Sequence, residues 1–171
     1  MICLGIDTSN NFKVIGVVLG EKSELESIYD RLLRSIKETK IHTSRLKHNK
    51  RDLLIKTFYE IVRQYTNVRF LSLDFDLFKK AKEISKLKRT PKIKAAGIVL
   101  IKTLKKIISS IPLTIDLIDL DGEFVSFEVQ LRKYFHTLTY NGICAQLADL
   151  IAYMNFKGLA KEPIITKVID F

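Results

Sequence analysis

Asp7, Asp74, Asp119 and Asp149 are the residues of this sequence best placed to do chemistry together. Each belongs to a different apolar stretch, so folding can bring them to one place. Carboxylates delivered by separate elements are what a hard divalent cation requires. Mg²⁺ or Mn²⁺ takes oxygen ligands and keeps open positions for water and a phosphate. Two such ions about 4 Å apart can activate a water and stabilise a leaving oxygen. Acids gathered in this way would be suited to divalent-metal chemistry on a phosphate.

Asp7 closes the apolar run Ile2-Cys3-Leu4-Gly5-Ile6. Strand alternation puts it on the face of Cys3 and Gly5, whose small side chains leave room beside a carboxylate. An aspartate that only starts a turn is the competing reading. Asp74 ends a strand-like stretch on the face of Val68, Phe70 and Ser72, and a helix-capping role, for which Asp76 serves equally well, is its alternative. Asp149 is the most informative acid, being the only charge in Asn141–Phe156 (NGICAQLADLIAYMNF) of a chain that is 28% charged. In that segment Ile143, Leu147, Leu150, Ile151 and Met154 make one apolar face, with Ala145, Ala148 and Ala152 as a small-residue flank. Gln146, Asp149 and Tyr153 are left as a polar stripe about 60° wide. A lone carboxylate on a nearly buried helix needs a metal, or a Lys or Arg partner. The stretch Thr114–Asp121 (TIDLIDLD) offers Asp119 as an alternative third acid; strand-end solvation and an Asp121-Gly122 turn account for Asp116 and Asp121.

The second group is basic. Lys79, Lys80, Lys82, Lys86, Lys88, Arg89, Lys92 and Lys94 form one run with only Glu83 opposing, and Lys40, Arg45, Lys47, Lys50 and Arg51 form another. The chain carries 29 Lys and Arg against 19 Asp and Glu, a formal net charge of +10. Such an excess favours polyanions, because neutralised phosphates release condensed counterions. Lysines in such runs hold a backbone without reading sequence. A lysine-rich solvated surface, common in heat-adapted proteins, is the plainer explanation. His42, His48 and His136 lack metal-site spacing. Cys3 and Cys144 are too few for a disulfide framework or a zinc site and read as free thiols in the core. No Gly-x-Ser-x-Gly motif is present, and no apolar run reaches membrane-spanning length. With no cleavable leader pattern, the sequence reads as a soluble cytoplasmic protein.

The elements that must position these groups follow from periodicity. Ile2–Asp7 and Phe12–Leu19 read as strands joined by a turn at Thr8-Ser9-Asn10-Asn11, hence a hairpin. Ser23–Asp30 alternates at Leu25, Ser27 and Tyr29, which allows a third antiparallel strand running into a helical piece. Positions 42–50 read as a loop. Lys50–Tyr65 is an amphipathic helix and Asn67–Phe75 a strand. Asp76–Thr90 is charged and poorly periodic. A helix spans Ile93–Ser109, a strand Leu113–Leu120, and a strong helix Gly142–Phe156. Glu123–Phe135 is weakly helical, and Pro163–Phe171 adds an edge strand or wraps the surface. With no repeat or linker, positions 1–171 form a single domain. A hairpin-rich start followed by βαβ crossovers gives a mixed sheet with helices on both faces.

Leu4-Gly5-Ile6-Asp7 followed by a strand at Val14–Leu19 resembles the opening of RuvC-type Holliday junction resolvases. Helix, strand to Asp74, helix and a late Asp149 follow in the same order. The chain departs from that family with Asp74 where a glutamate is usual and Gln146 where another aspartate stands. Gln146-Leu147-Ala148-Asp149 is similar to the C-terminal Gln-x-Ala-Asp of a large ribonuclease H-like family that begins with Asp-Glu-Ser-Gly; here the start is Asp7-Thr8-Ser9-Asn10. That likeness favours Asp119 over Asp74. Leu4–Ser9 also resembles the first phosphate motif of actin-like ATPases, but no later glycine-rich loop follows it. The resemblance implies a ribonuclease H-like domain with a mixed five-stranded sheet, the first three strands antiparallel. It implies a Mg²⁺- or Mn²⁺-dependent nuclease on DNA or RNA, with branched DNA the first substrate to try. Asp7, Asp149 and either Asp74 or Asp119 would ligate metal. A symmetric junction substrate would favour a homodimer. The alternative is a non-catalytic nucleic-acid-binding domain on the same scaffold.

Overall fold

The computed structural model describes residues 1–9, 12–88 and 91–168. Among these residues six strands form one mixed sheet: β1 (Ile2–Ser9), β2 (Val14–Glu21), β3 (Arg69–Asp74), β4 (Leu117–Leu120), β5 (Leu138–Tyr140) and β6 (Ile164–Val168). Their order across the sheet is β5-β4-β1-β2-β3-β6. β2 alone runs against the other five, since it is antiparallel to β1 and β3 while β4, β5 and β6 pair in parallel. The carboxyl ends of β1, β3 and β4 therefore share one edge, the edge where open α/β sheets build their sites.

Six α-helices among the described residues cover the two faces: α1 (Lys22–Ile36), α2 (His48–Ile61), α3 (Leu77–Lys88), α4 (Lys92–Ser109), α5 (Glu128–Leu131) and α6 (Ile143–Phe156). Alternation along β1 divides the core. Cys3 joins residues of α1, α2 and α6 on one face, while Leu4 and Ile6 join residues of α3 and α4 on the other. Two glycines let α6 lie directly on the sheet. A Cβ at Gly5 would stand 2.1 Å from the Cys144 carbonyl oxygen, and one at Gly16 would stand 2.1 Å from that of Ala148. Ala145, Ala148 and Ala152 complete the close approach, which explains the small-residue flank of this helix. No helix among the described residues is long and apolar enough to cross a membrane.

Several expectations need correction. The sheet has six strands, because Ile164–Val168 extends it beside β3 and Leu138–Tyr140, too short to show a period, extends it beside β4. Ser23–Asp30 is helical: Leu25, Ile28, Tyr29, Leu32 and Ile36 bury one face of α1, and the apparent alternation was a fragment of that longer pattern. The third antiparallel strand is thus β3, reached only after α1 and α2. α3 forms in the charged stretch because Leu77 and Ala81 face the core and the Asp76 carboxylate accepts the Lys79 N–H at 2.9 Å. His48 begins α2 instead of lying in a loop. Cys3 and Cys144 are buried as expected, yet paired with each other as a disulfide joining β1 to the first turn of α6.

Candidate active site

Parallel pairing of β1 with β4 puts Ile6 opposite Leu120, so Asp7 and Asp121 follow side by side at the carboxyl edge. The Asp121 N–H donates to the Ile6 carbonyl at 3.0 Å, which holds the two strand ends together. α6 crosses above them and presents Asp149. These three carboxylates line one polar cleft of about 180 Å³ with Lys40, Ile41, His42, Asn141, Ala145 and Gln146.

The carboxylates act on one another. Burial raises the Asp7 pKa well above the ordinary carboxylate value, and repulsion from Asp149 and then Asp121 raises it further. The Thr8 N–H, donating to Asp7 Oδ1 at 2.5 Å, works in the opposite direction. Burial likewise raises Asp149, while hydrogen bonding from Thr43 and the nearby His42 lower it. Two acids pushed up by confinement with like charge need a proton or a cation to be stable there.

The polar stripe of α6 has a definite set of partners. Gln146 Oε1 accepts from the Tyr29 hydroxyl and from the Ile41 N–H at 3.2 Å, and its Nε2 donates to the Asn141 carbonyl at 3.1 Å. Asp149 Oδ2 accepts the Thr43 N–H at 2.8 Å. The Tyr153 hydroxyl accepts from Arg51 Nη1 at 2.9 Å. Asp149 is thus bonded to a backbone N–H, where a Lys or Arg partner was the alternative expectation.

The remaining expected acids go elsewhere. Asp119, only 2% exposed, accepts from Thr139 Oγ1 at 3.1 Å, the Gly142 N–H at 3.0 Å and the Ala145 N–H at 2.9 Å. It caps the start of α6 from a neighbouring strand and does not line the cleft. Asp74 lies on the expected edge and the expected face, but it accepts from Asn155 Nδ2 at 2.8 Å. Asn155 is six residues beyond Asp149, about 9 Å along the helix, and Asp74 does not line the cleft. The acid that joins Asp7 and Asp149 is Asp121. The sequence puts Asp121 on the same strand face as Asp119, and the β1–β4 register, with Ile6 opposite Leu120, is what sets Asp121 beside Asp7.

Of the basic run, Lys79, Lys82, Lys86 and Lys94 are exposed, and Lys80 pairs with Glu83 at 3.1 Å. α3 starts at the carboxyl edge, where the Leu77 N–H bonds the Phe12 carbonyl at 3.1 Å, but it packs on the face opposite the cleft. Lys88 and Lys92 lie in helices whose side chains at those positions are not described, and Arg89 falls outside the described residues. From the second run Lys40 reaches the cleft.

The donor set suits a hard divalent cation in kind, since the three carboxylates are oxygen ligands, while the Gln146 and Asn141 side-chain oxygens already accept hydrogen bonds. Among the described residues, no three Asp, Glu, His or Cys side chains already stand close enough to grip one ion. No protein-family model and no curated protein matches the chain.

Proposed function

We propose that the chain is a Mg²⁺- or Mn²⁺-dependent nuclease with a ribonuclease H-like fold. The observation that carries the reading is the meeting of Asp7, Asp121 and Asp149 in one cleft at the carboxyl edge. The sheet supports it, with an antiparallel β1–β2–β3 unit followed by parallel β4 and β5. Asp7 and Asp121 would hold the cation between the ends of β1 and β4, and Asp149 would contribute from α6. The cation, when bound, supplies an activated water and neutralises charge on the phosphate. The protein's own residues do the rest. Binding a cation relieves the mutual repulsion of the carboxylates, so the site is primed to take one. Lys40 and His42 at the rim would meet an incoming phosphate. The net charge of +10 supports DNA or RNA as the partner.

The test is a cleavage panel with Mn²⁺ on branched DNA, single-stranded DNA, RNA and an RNA–DNA hybrid, run beside Asp149→Asn. Cleavage of one substrate, lost in the variant by about 100-fold or more, is the expected result. Undiminished cleavage by Asp149→Asn contradicts it.

A second reading, a nucleic-acid-binding domain without catalysis, is favoured by one observation: Gln146 has its amide committed to structural bonds where a fourth ligand would sit. Salt-sensitive binding with no cleavage of any substrate in the panel selects it.

A further inference from the structure

The stretch from Lys40 to Leu46 is tied to α6 at successive turns. Ile41 is bonded to Gln146 and Thr43 to Asp149, and Arg51 of α2 is bonded to Tyr153 one turn further on. Ile41 and Thr43 are buried, while His42 between them and Lys40 before them are exposed at the cleft. Inner residues pin the loop and outer ones present cations. The far side of this loop is held by the Arg51 guanidinium. Arg51 Nε donates to the Thr43 carbonyl at 3.0 Å and Nη2 donates to the Leu46 carbonyl at 2.7 Å. Its Cζ also lies 5.2 Å from the centre of the Tyr153 ring. A rigid planar fork can satisfy three acceptors on two elements at once; a lysine's point charge cannot.

We propose that Arg51 is a positioning residue of the cleft: by clamping the Thr43 and Leu46 carbonyls and the Tyr153 hydroxyl, it fixes the loop whose Thr43 N–H aims Asp149 and whose Lys40 and His42 form the rim. This rests on the nuclease reading for its effect on rate, and on geometry alone for its effect on the loop. Arg51 itself does not line the cleft. Outer partners of this kind typically change metal affinity or activity by about 10–100-fold when removed.

The experiment uses the full chain with Arg51→Met and Arg51→Lys, read in two ways. Amide hydrogen exchange at Ile41 and Thr43 reports the loop without any need for activity. Mn²⁺-dependent cleavage of whichever nucleic acid the wild-type protein cuts reports the site. Arg51→Met is expected to speed exchange at Thr43 by at least about 10-fold while amides in the middle of α6 stay protected. It is expected to lower kcat by about 10–100-fold with little change in KM. Arg51→Lys is expected to recover part of both, and it decides the matter if the methionine variant does not fold. Unchanged Thr43 exchange in the variants overturns the proposal, as does, where the wild type cleaves, a kcat of Arg51→Met equal to that of the wild type. If the wild type cleaves nothing, accelerated Thr43 exchange still supports the clamp, and only the nuclease reading falls.

Discussion

A carboxylate whose pKa is raised by burial and by like-charged neighbours destabilises the fold whenever it is ionised. The folded state holds the Asp7 proton more tightly than the unfolded chain, so stability falls as pH rises from the unfolded value through the raised one. In a chelator, with no cation to relieve the repulsion, Asp7→Asn is expected to stabilise the protein by about 1 kcal/mol at pH 7. The gain should vanish toward the unfolded carboxylate value, which denaturant melts across pH will show. Asparagine retains an acceptor for the Thr8 N–H, so the comparison isolates charge. Asp119 should behave in the opposite way. Asp119→Ala removes three hydrogen bonds at a buried position and uncaps α6, and is expected to cost about 3 kcal/mol in urea unfolding. At this scale the sequence showed Asp7 and the isolation of Asp149. It could not rank Asp119 against Asp121, because both share a strand face and only the partner strand's register shows which one meets Asp7.

The elements place the site through one close contact, α6 against β1 and β2. Gly5 and Gly16 sit where any side chain would enter the helix backbone. Gly16→Ala is therefore expected to destabilise by about 3 kcal/mol or prevent folding, since overpacking at a rigid backbone contact cannot be relieved by a rotamer change. Thermal melts and far-ultraviolet circular dichroism check this. The long periodic helices α2, α4 and α6 were legible because each repeats an apolar face over several turns. The strand β1 was legible for its unbroken apolar run. What escaped had physical causes: β5 has three residues, too few for a pattern, and α1 carries an alternating fragment inside a helical repeat. The disulfide was invisible for another reason, since Cys3 and Cys144 meet only through the packing of α6 on β1.

At the scale of the whole molecule, five strands pointing one way gather acidic ends at one edge, while a net charge of +10 is spread over the surface. An acidic cleft in a basic protein admits a polyanion only if a cation first neutralises the cleft. Binding of nucleic acid is accordingly expected to weaken steeply with added salt, with log affinity linear in log salt concentration. It should also strengthen when Mn²⁺ is supplied; fluorescence anisotropy of a labelled oligonucleotide measures both. The charge excess was plain in the sequence, whereas its placement was not, because α3 carries its lysines on the face opposite the cleft. The most direct test of the central claim is a Mn²⁺ titration followed by electron paramagnetic resonance on the wild type and on Asp7→Asn, Asp121→Asn and Asp149→Asn. Saturable uptake by the wild type, weakened at least about 10-fold in each variant, is the expected result. Equal uptake by the wild type and all three variants would contradict it.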